Sequence, residues 1–413
     1  MDWLSRRFAE INFGRHSEFS VPRRIDVLVP EDVLDAPELN VCLIDTRGID
    51  EPSVPRRDLQ AYLDDPRTIV VLCSRFEDAP SAAVQLVIER AKEGGLHEAI
   101  LKRGLLLVLP KDGDECGVLG ELTGEPVADA EEGREIRLEQ VRTTTLTDLS
   151  VRDLPVDFLN VRRSEDCMRV RELIKEKILQ IRENTVGQVR VLVDTVDQLI
   201  ENKEDEQLRA VFEQATRPLR TWLTNNRNMC GMIHQVDNAL LEEMDGLRYA
   251  ASLRASVNRR GDWHNFDYWH GLGFGARREA VARSKDQITK LKGILENELN
   301  DADLVEAHNF LRHLESQVDE AFASFVVDVQ QLGESAFREE LRRDHGYWED
   351  CRGRWGGGPG YKGDIREWTK RWFKDEVREA RHQFIQTEVQ RRWAQMVDGL
   401  AARLGSGEEK VSV

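Results

Sequence analysis

The sequence predicts an α/β segment followed by an all-α one: a partial parallel sheet, then a long helical bundle. Three observations carry this. Short apolar runs at 41–44, 68–74, 105–109 and 156–161 alternate with helical patterns, as parallel strands joined by crossover helices do. From about Glu165 onward the apolar residues recur every three or four places, with no further strand-like run, which is the helical period. No apolar run approaches the ~18 residues of a membrane span, and the start has no signal peptide. The expected domains are 1–165, α/β, and 166–413, a helical bundle or stalk.

Taken in order, Phe19 to Pro30 alternates in part, with proline near both ends, like an edge strand. Val41, Cys42, Leu43 and Ile44 form a short apolar run with the character of a buried parallel strand. A charged helical piece follows over 57–63. The run 68–74 is a second buried strand, and Ser81 to Lys92 a helix, signalled at its start by Asp78-Ala79-Pro80 and broken by Gly94-Gly95. After a short helix over 96–102, Leu105 to Leu109 is the third strand and delivers Pro110-Lys111-Asp112-Gly113-Asp114. The last strand, 156–161, delivers Asn160-Val161-Arg162-Arg163-Ser164.

The helical half reads as helices near 166–202, 204–226 (kinked at Pro218), 230–258, 276–299, 302–343 and 363–404. Gly187 marks a bend in the first. Its stripe, including Val170, Ile174, Val189, Leu192 and Val196, is expected to be buried in the bundle, antiparallel to a neighbour. In the last helix Trp372, Phe384, Trp393 and Leu400 are expected to face the core. Gly271, Gly273 and Gly275 read as an interhelical loop, as do Gly356 to Gly360.

The chain has 413 residues, enough for two or three domains, with 76 acidic against 59 basic residues and a net charge of −17. That disfavours a general nucleic-acid binder. Six scattered cysteines with no CxxC pair read as reduced thiols of a cytoplasmic protein. His264, Asp267 and His270 drift around a helix at their spacing of three, and an aromatic plug between helices is the preferred reading over a zinc site. Cys351 reads as structural. Arg259, Arg260, Arg277 and Arg278 read as a solvated face, with an anion or lipid-headgroup site as the alternative.

The chemistry-bearing stretch is Asp45-Thr46-Arg47-Gly48. An acidic residue after a buried strand, with glycine three places on, can hold magnesium while a bare backbone N–H approaches a phosphate. The plainer alternative is an aspartate that caps the next helix. DTRG resembles the DxxG motif of GTPases, most of all the DTPG of dynamin-like proteins, and the layout of 15–165 is similar to their GTPase core. The resemblance implies GTP and Mg2+ as ligands, with Asp45 on the metal, Gly48 at the terminal phosphate and Arg47 adding charge there. It implies nucleotide contacts from Thr46 and from Lys111, Asp112 and Asp114, where such proteins carry NKxD. PKDGD departs from that motif: Pro110 replaces Asn, and Gly113 stands where Asp belongs. A simple turn is the competing reading.

No GxxxxGK[ST] occurs in the chain. That motif supplies the backbone nest and phosphate lysine, so the chain reads as a truncated, split or degenerate member, a GTPase if a P-loop is supplied. The alternative is a non-catalytic helical interaction or scaffold protein on a remnant sheet. Protein partners or self-association are expected through the bundle or the open sheet edge; a membrane role is not indicated.

Overall fold

A run of Leu-Leu-Leu-Val with glycine before it can be covered on both faces only inside a layered fold, and Gly104–Leu109 (β2) is such a strand. The computed structural model describes residues 34, 39, 41–46, 57–120, 124–201, 206–229 and 236–405. In it β2 lies between Val70–Arg75 (β1) and Val156–Phe158 (β3), all parallel, in the order β1-β2-β3. Leu106 and Val108 face Ala82–Glu93 (α2) and His97–Arg103 (α3), within a core that includes Val84, Ile88 and Ile100. Leu105 and Leu107 face the other way, onto Val170, Leu173 and Ile174 of Ser164–Glu201 (α5). Ahead of β1 stands Arg57–Asp64 (α1), and between β2 and β3 stands Ala130–Gln140 (α4).

The chain divides into two compact units, Met1–Ile44 and Asp45–Val413. In the first, residues 41–44 form no strand, and Val41, Leu43 and Ile44 are exposed, Leu43 at 93%. The expected buried strand ahead of Asp45 is therefore absent at these positions. Four apolar residues make a strand only where a neighbouring strand completes the ladder, and 41–44 has no ladder partner among the described residues. The edge strand expected over 19–30, Arg47, Gly48, Cys230 and the tail 406–413 lie outside the described residues.

From Ser164 the described chain is helical, as the fold class requires. After α5 come Glu206–Asn225 (α6), Asp237–Gly246 (α7), Ala250–Asn258 (α8), Tyr268–Leu299 (α9), His308–Ala336 (α10), Arg338–Arg343 (α11), His345–Gly353 (α12), Tyr361–Phe373 (α13) and Glu376–Gly405 (α14). One apolar core runs through them from Ala215 to Leu404. Several expected long helices are broken. The 230–258 piece turns at Leu247, 302–343 turns at Phe337, and 363–404 breaks at Lys374. Asp344 stabilises that last break: its Oδ2 accepts from Trp372 Nε1 at 2.8 Å. In α14 it is Ile385, Val389, Trp393, Val397 and Leu400 that are buried, while Phe384 is exposed.

The glycine triplet corrects a further expectation. Gly271, Gly273 and Gly275 lie inside α9, not in a loop. A Cβ on Gly275 would sit 2.1 Å from the Val236 carbonyl oxygen, and one on Gly273 2.4 Å from Glu334 Cγ. From the facing helix, a Cβ on Gly333 would lie 2.8 Å from the Leu272 carbonyl oxygen. Close approach of α9 to α10 and to the start of α7 demands these glycines and outweighs their poor helix propensity, about 1 kcal/mol each.

The aromatic plug is as read. Phe266, Tyr268, Trp269, Tyr347 and Trp348 are buried, Tyr268 and Trp348 with ring centroids 5.4 Å apart. Tyr347 Oη and Thr369 Oγ1 are hydrogen-bonded at 2.6 Å beside Tyr268. Asp267 caps α9, accepting from the N–H groups of Trp269 and His270. Cys351 is buried, and burial pushes its thiol up to about 12.

Candidate functional site

In open parallel sheets ligands bind outside the carboxyl ends of the strands, so the residues after β2 and β3 define the candidate site. Beyond Leu109 the chain turns tightly. Asp114 Oδ2 accepts from Lys111 N at 2.8 Å, and Asp114 N donates to Lys111 O at 3.1 Å. Gly113 closes the turn at φ 94°, a conformation in which an aspartate would be strained. The turn thus explains why glycine occupies that place.

The loop after β3 stands beside it. Asn160 Nδ2 donates to Asp112 Oδ1 at 3.4 Å, and Arg162 forms an ion pair with Asp112. Asn160 Oδ1 accepts from Arg162 N at 3.1 Å. Of the residues expected to contact nucleotide, the structure places Lys111, Asp112 and Asp114 in one turn, with Asn160 and Arg162 of the neighbouring loop beside Asp112. The Lys111 side chain is exposed.

Beneath these loops lies a charged network that sequence reading missed. Arg134 of α4, buried, donates to both oxygens of Asp166 at 3.0 and 2.8 Å and to Glu115 Oε1 at 3.0 Å. Asp166 Oδ2 also accepts from Asn160 N at 2.9 Å. Burial alone would raise the Asp166 carboxyl, but the Arg134 and Asn160 hydrogen bonds outweigh it and bring it down to about 2. Arg169 joins Asp166 to Asp157 of β3. This network anchors the start of α5 under the site, at a sequence separation that leaves no local signal.

Asp45 and Thr46 lie in an exposed stretch with no assigned helix or strand. Asp45 is close enough to β1 that its charge adds to the effect of burial in raising the Cys73 thiol. Among the described residues no three His, Cys, Asp or Glu side chains converge as a metal site.

A second polar cluster joins this layer to the helical body. Arg277 of α9, expected on a solvated face, is fully buried. It donates to Asp64 Oδ1 and Oδ2 at 2.8 and 3.0 Å, to Gly94 O at 2.7 Å and to Gln330 Oε1 at 3.0 Å. The other three members of that basic group part company: Arg278 pairs with Glu242, while Arg260 donates to Arg342 O and Arg259 to Ala255 O. Near Arg277, Glu334 pairs with Arg57 at 3.3 Å and lies 3.5 Å from His270 Nδ1. Glu243, fully buried against Gly271, has no hydrogen-bond partner on either oxygen among the described residues, and burial drives its carboxyl well above its usual range. Arginine buried against distant carbonyls and a distant aspartate has no local sequence signature.

No protein-family model, no curated protein and no solved structure matches this chain. Among the described residues no helix is long and apolar enough to cross a membrane.

Proposed function

We propose that this chain is a nucleotide-responsive protein of the dynamin-like GTPase kind, in which a small α/β head is coupled to a helical body. The observation that carries this is the meeting of the two loops at the carboxyl edge of a parallel sheet, Asp112 Oδ1 to Asn160 Nδ2 at 3.4 Å, where such sheets take their ligands. In this reading Lys111 lays its stem along the base, and Asp112 and Asn160 meet the base's polar edge. Asp114 braces the turn. Asp45 holds Mg2+, with Thr46, Arg47 and Gly48 toward the phosphates of GTP.

The test is a titration with fluorescent GTP and ATP analogues and Mg2+. Binding that Lys111→Ala weakens about tenfold or more supports the reading, and no binding of either nucleotide at about 1 mM overturns it. Turnover by these residues alone is expected to be slow. The sequence holds no GxxxxGK[ST], and phosphoryl transfer depends on the electrostatic cradle that motif supplies. Any magnesium-dependent turnover should disappear in Asp45→Ala.

A second reading, a non-catalytic interaction scaffold, is favoured by Asp112 being already engaged by Arg162. It predicts no nucleotide binding by a chain that still associates.

A further inference from the structure

The expectation that the whole apolar stripe of α5 is buried fails in its second half. Leu179, Val186, Val189, Leu192, Val193 and Val196 are 40–57% exposed. Five of them fall at heptad spacing, 179, 186, 189, 193 and 196, which are the a and d positions of a coiled-coil seam. Gln188, on the opposite side of the helix, donates to Ser316 of α10 at 2.9 Å, so the body takes one face of α5 and leaves the seam outward. Solvent-facing helix normally carries charge there. A row of valines on one line calls for a second helix.

We infer that the occupant is α5 of a second copy of this chain, packed antiparallel across a two-fold axis near residues 187 and 188. Charge decides for this arrangement. The exposed charged residues on this stretch are Arg182 and Glu183 before that axis and Arg190, Asp194 and Asp197 beyond it. A parallel pair sets Arg190 level with Arg190, and Asp197 level with Asp197. An antiparallel pair brings Glu183 toward Arg190 and Arg182 toward Asp197 of the second copy, opposite charges in each case.

The matching register places Val186 against Val189 of the second copy and Leu179 against Val196. Arg182 then lies over Val193 with its head toward Asp197, and Glu183 meets Arg190. Every contact occurs twice, and the two-fold closes the assembly at a dimer. The seam spans roughly 26 Å at ~1.5 Å per residue, enough for a pair to bury on the order of 1,000 Å2, the lower end of specific interfaces. The stretch 182–197 is nearly neutral in a chain of net charge −17, so two copies meeting along this line bring little of that charge together. The inference stands on α5 alone and does not depend on nucleotide binding.

Sedimentation equilibrium of the full chain over a dilution series tests it. The wild type should be a dimer, and Val189→Asp with Val193→Asp a monomer at the same concentration. Helix content should be unchanged, since both side chains are exposed; Val189→Ser with Val193→Ser is the milder pair if the aspartates perturb folding. Arg190→Glu should weaken the dimer about tenfold, and adding Glu183→Arg should restore it. A wild type that stays monomeric to about 100 μM, or a double aspartate variant of unchanged mass, overturns the proposal. Failure of Glu183→Arg to rescue Arg190→Glu overturns the antiparallel arrangement.

Discussion

Replacing Arg277 by Met should uncouple the α/β layer from the helical body. The guanidinium makes four hydrogen bonds, to Gly94 O, both oxygens of Asp64 and Gln330 Oε1, from a side chain with no exposed surface. Methionine keeps much of the apolar stem and removes every donor. Hydrogen bonds to charged groups contribute about 1.5–3 kcal/mol each, and breaking a buried pair from one side costs about 3–5 kcal/mol. Asp64 is 23% exposed, so water recovers part of what it loses, and the buried guanidinium no longer has to be desolvated. The balance is a loss of about 3 kcal/mol. Asp64→Asn should cost somewhat less, and the double variant less than the sum, because both changes break the same contact. Urea unfolding measures this with two probes. Eight of the nine tryptophans lie at 222 or beyond, so the fluorescence is dominated by the helical body while far-ultraviolet circular dichroism reports the whole. The two curves should coincide in the wild type and separate in Arg277→Met. Coincident curves with a loss under about 0.5 kcal/mol would refute the argument.

Gly275→Ala places a methyl 2.1 Å from a backbone oxygen and should cost several kcal/mol, of order 3, because backbone cannot step aside as a side chain can; a thermal melt within 2 °C of wild type would contradict it. Asp166 carries a carboxyl held at about 2, below the usual 3.8. Its contribution is therefore complete above about pH 4 and lost as pH falls toward 2; Arg134→Gln should shift the acid-unfolding midpoint to higher pH, as followed by circular dichroism. Glu243 has the opposite sign: its folded-state carboxyl is raised by burial, so stability is full at low pH and falls as pH rises through that value. Glu243→Gln should melt above the wild type at pH 8, with the gap closing at pH 4, and a gap independent of pH would refute the assignment.

The strands of the sheet were legible because their apolar runs are continuous and bounded: Leu105 to Leu109 can be read from composition alone. The start and end of α5, Ser164 and Glu201, also follow the pattern closely, since a long periodic run averages out local exceptions. Residues 41–44 carry the same signal and form no strand, because apolarity specifies burial only when a partner is present. GLGFG looked like a loop since glycine breaks isolated helices; here the helix is imposed from outside, by backbone passing too close for any Cβ. Arg277 and Asp64 are 213 residues apart, and no local rule links them. In the candidate site Lys111, Asp112 and Asp114 were legible as a cluster, being adjacent. Asn160 and Arg162 joined them only once the parallel register of β2 and β3 set the two loops side by side.

The glycine contact between α9 and α10 fixes how force can travel through the molecule. Two helices separated by ordinary side chains can slide or roll by a few tenths of an ångström as rotamers readjust. At Gly273 and Gly333 there are no rotamers to readjust, and backbone meets backbone. Around this crossing α9 and α10 behave as a single rod with one axis of rotation removed. Arg277 clamps that rod to Asp64 and Gly94, and α9 continues from it to Leu295, buried in the helical core, roughly 27 Å further on at ~1.5 Å per residue. A displacement of the α/β layer at Gly94 therefore reaches the far core with little slack, as a tilt of the rod and not as a dispersed shuffle of side chains.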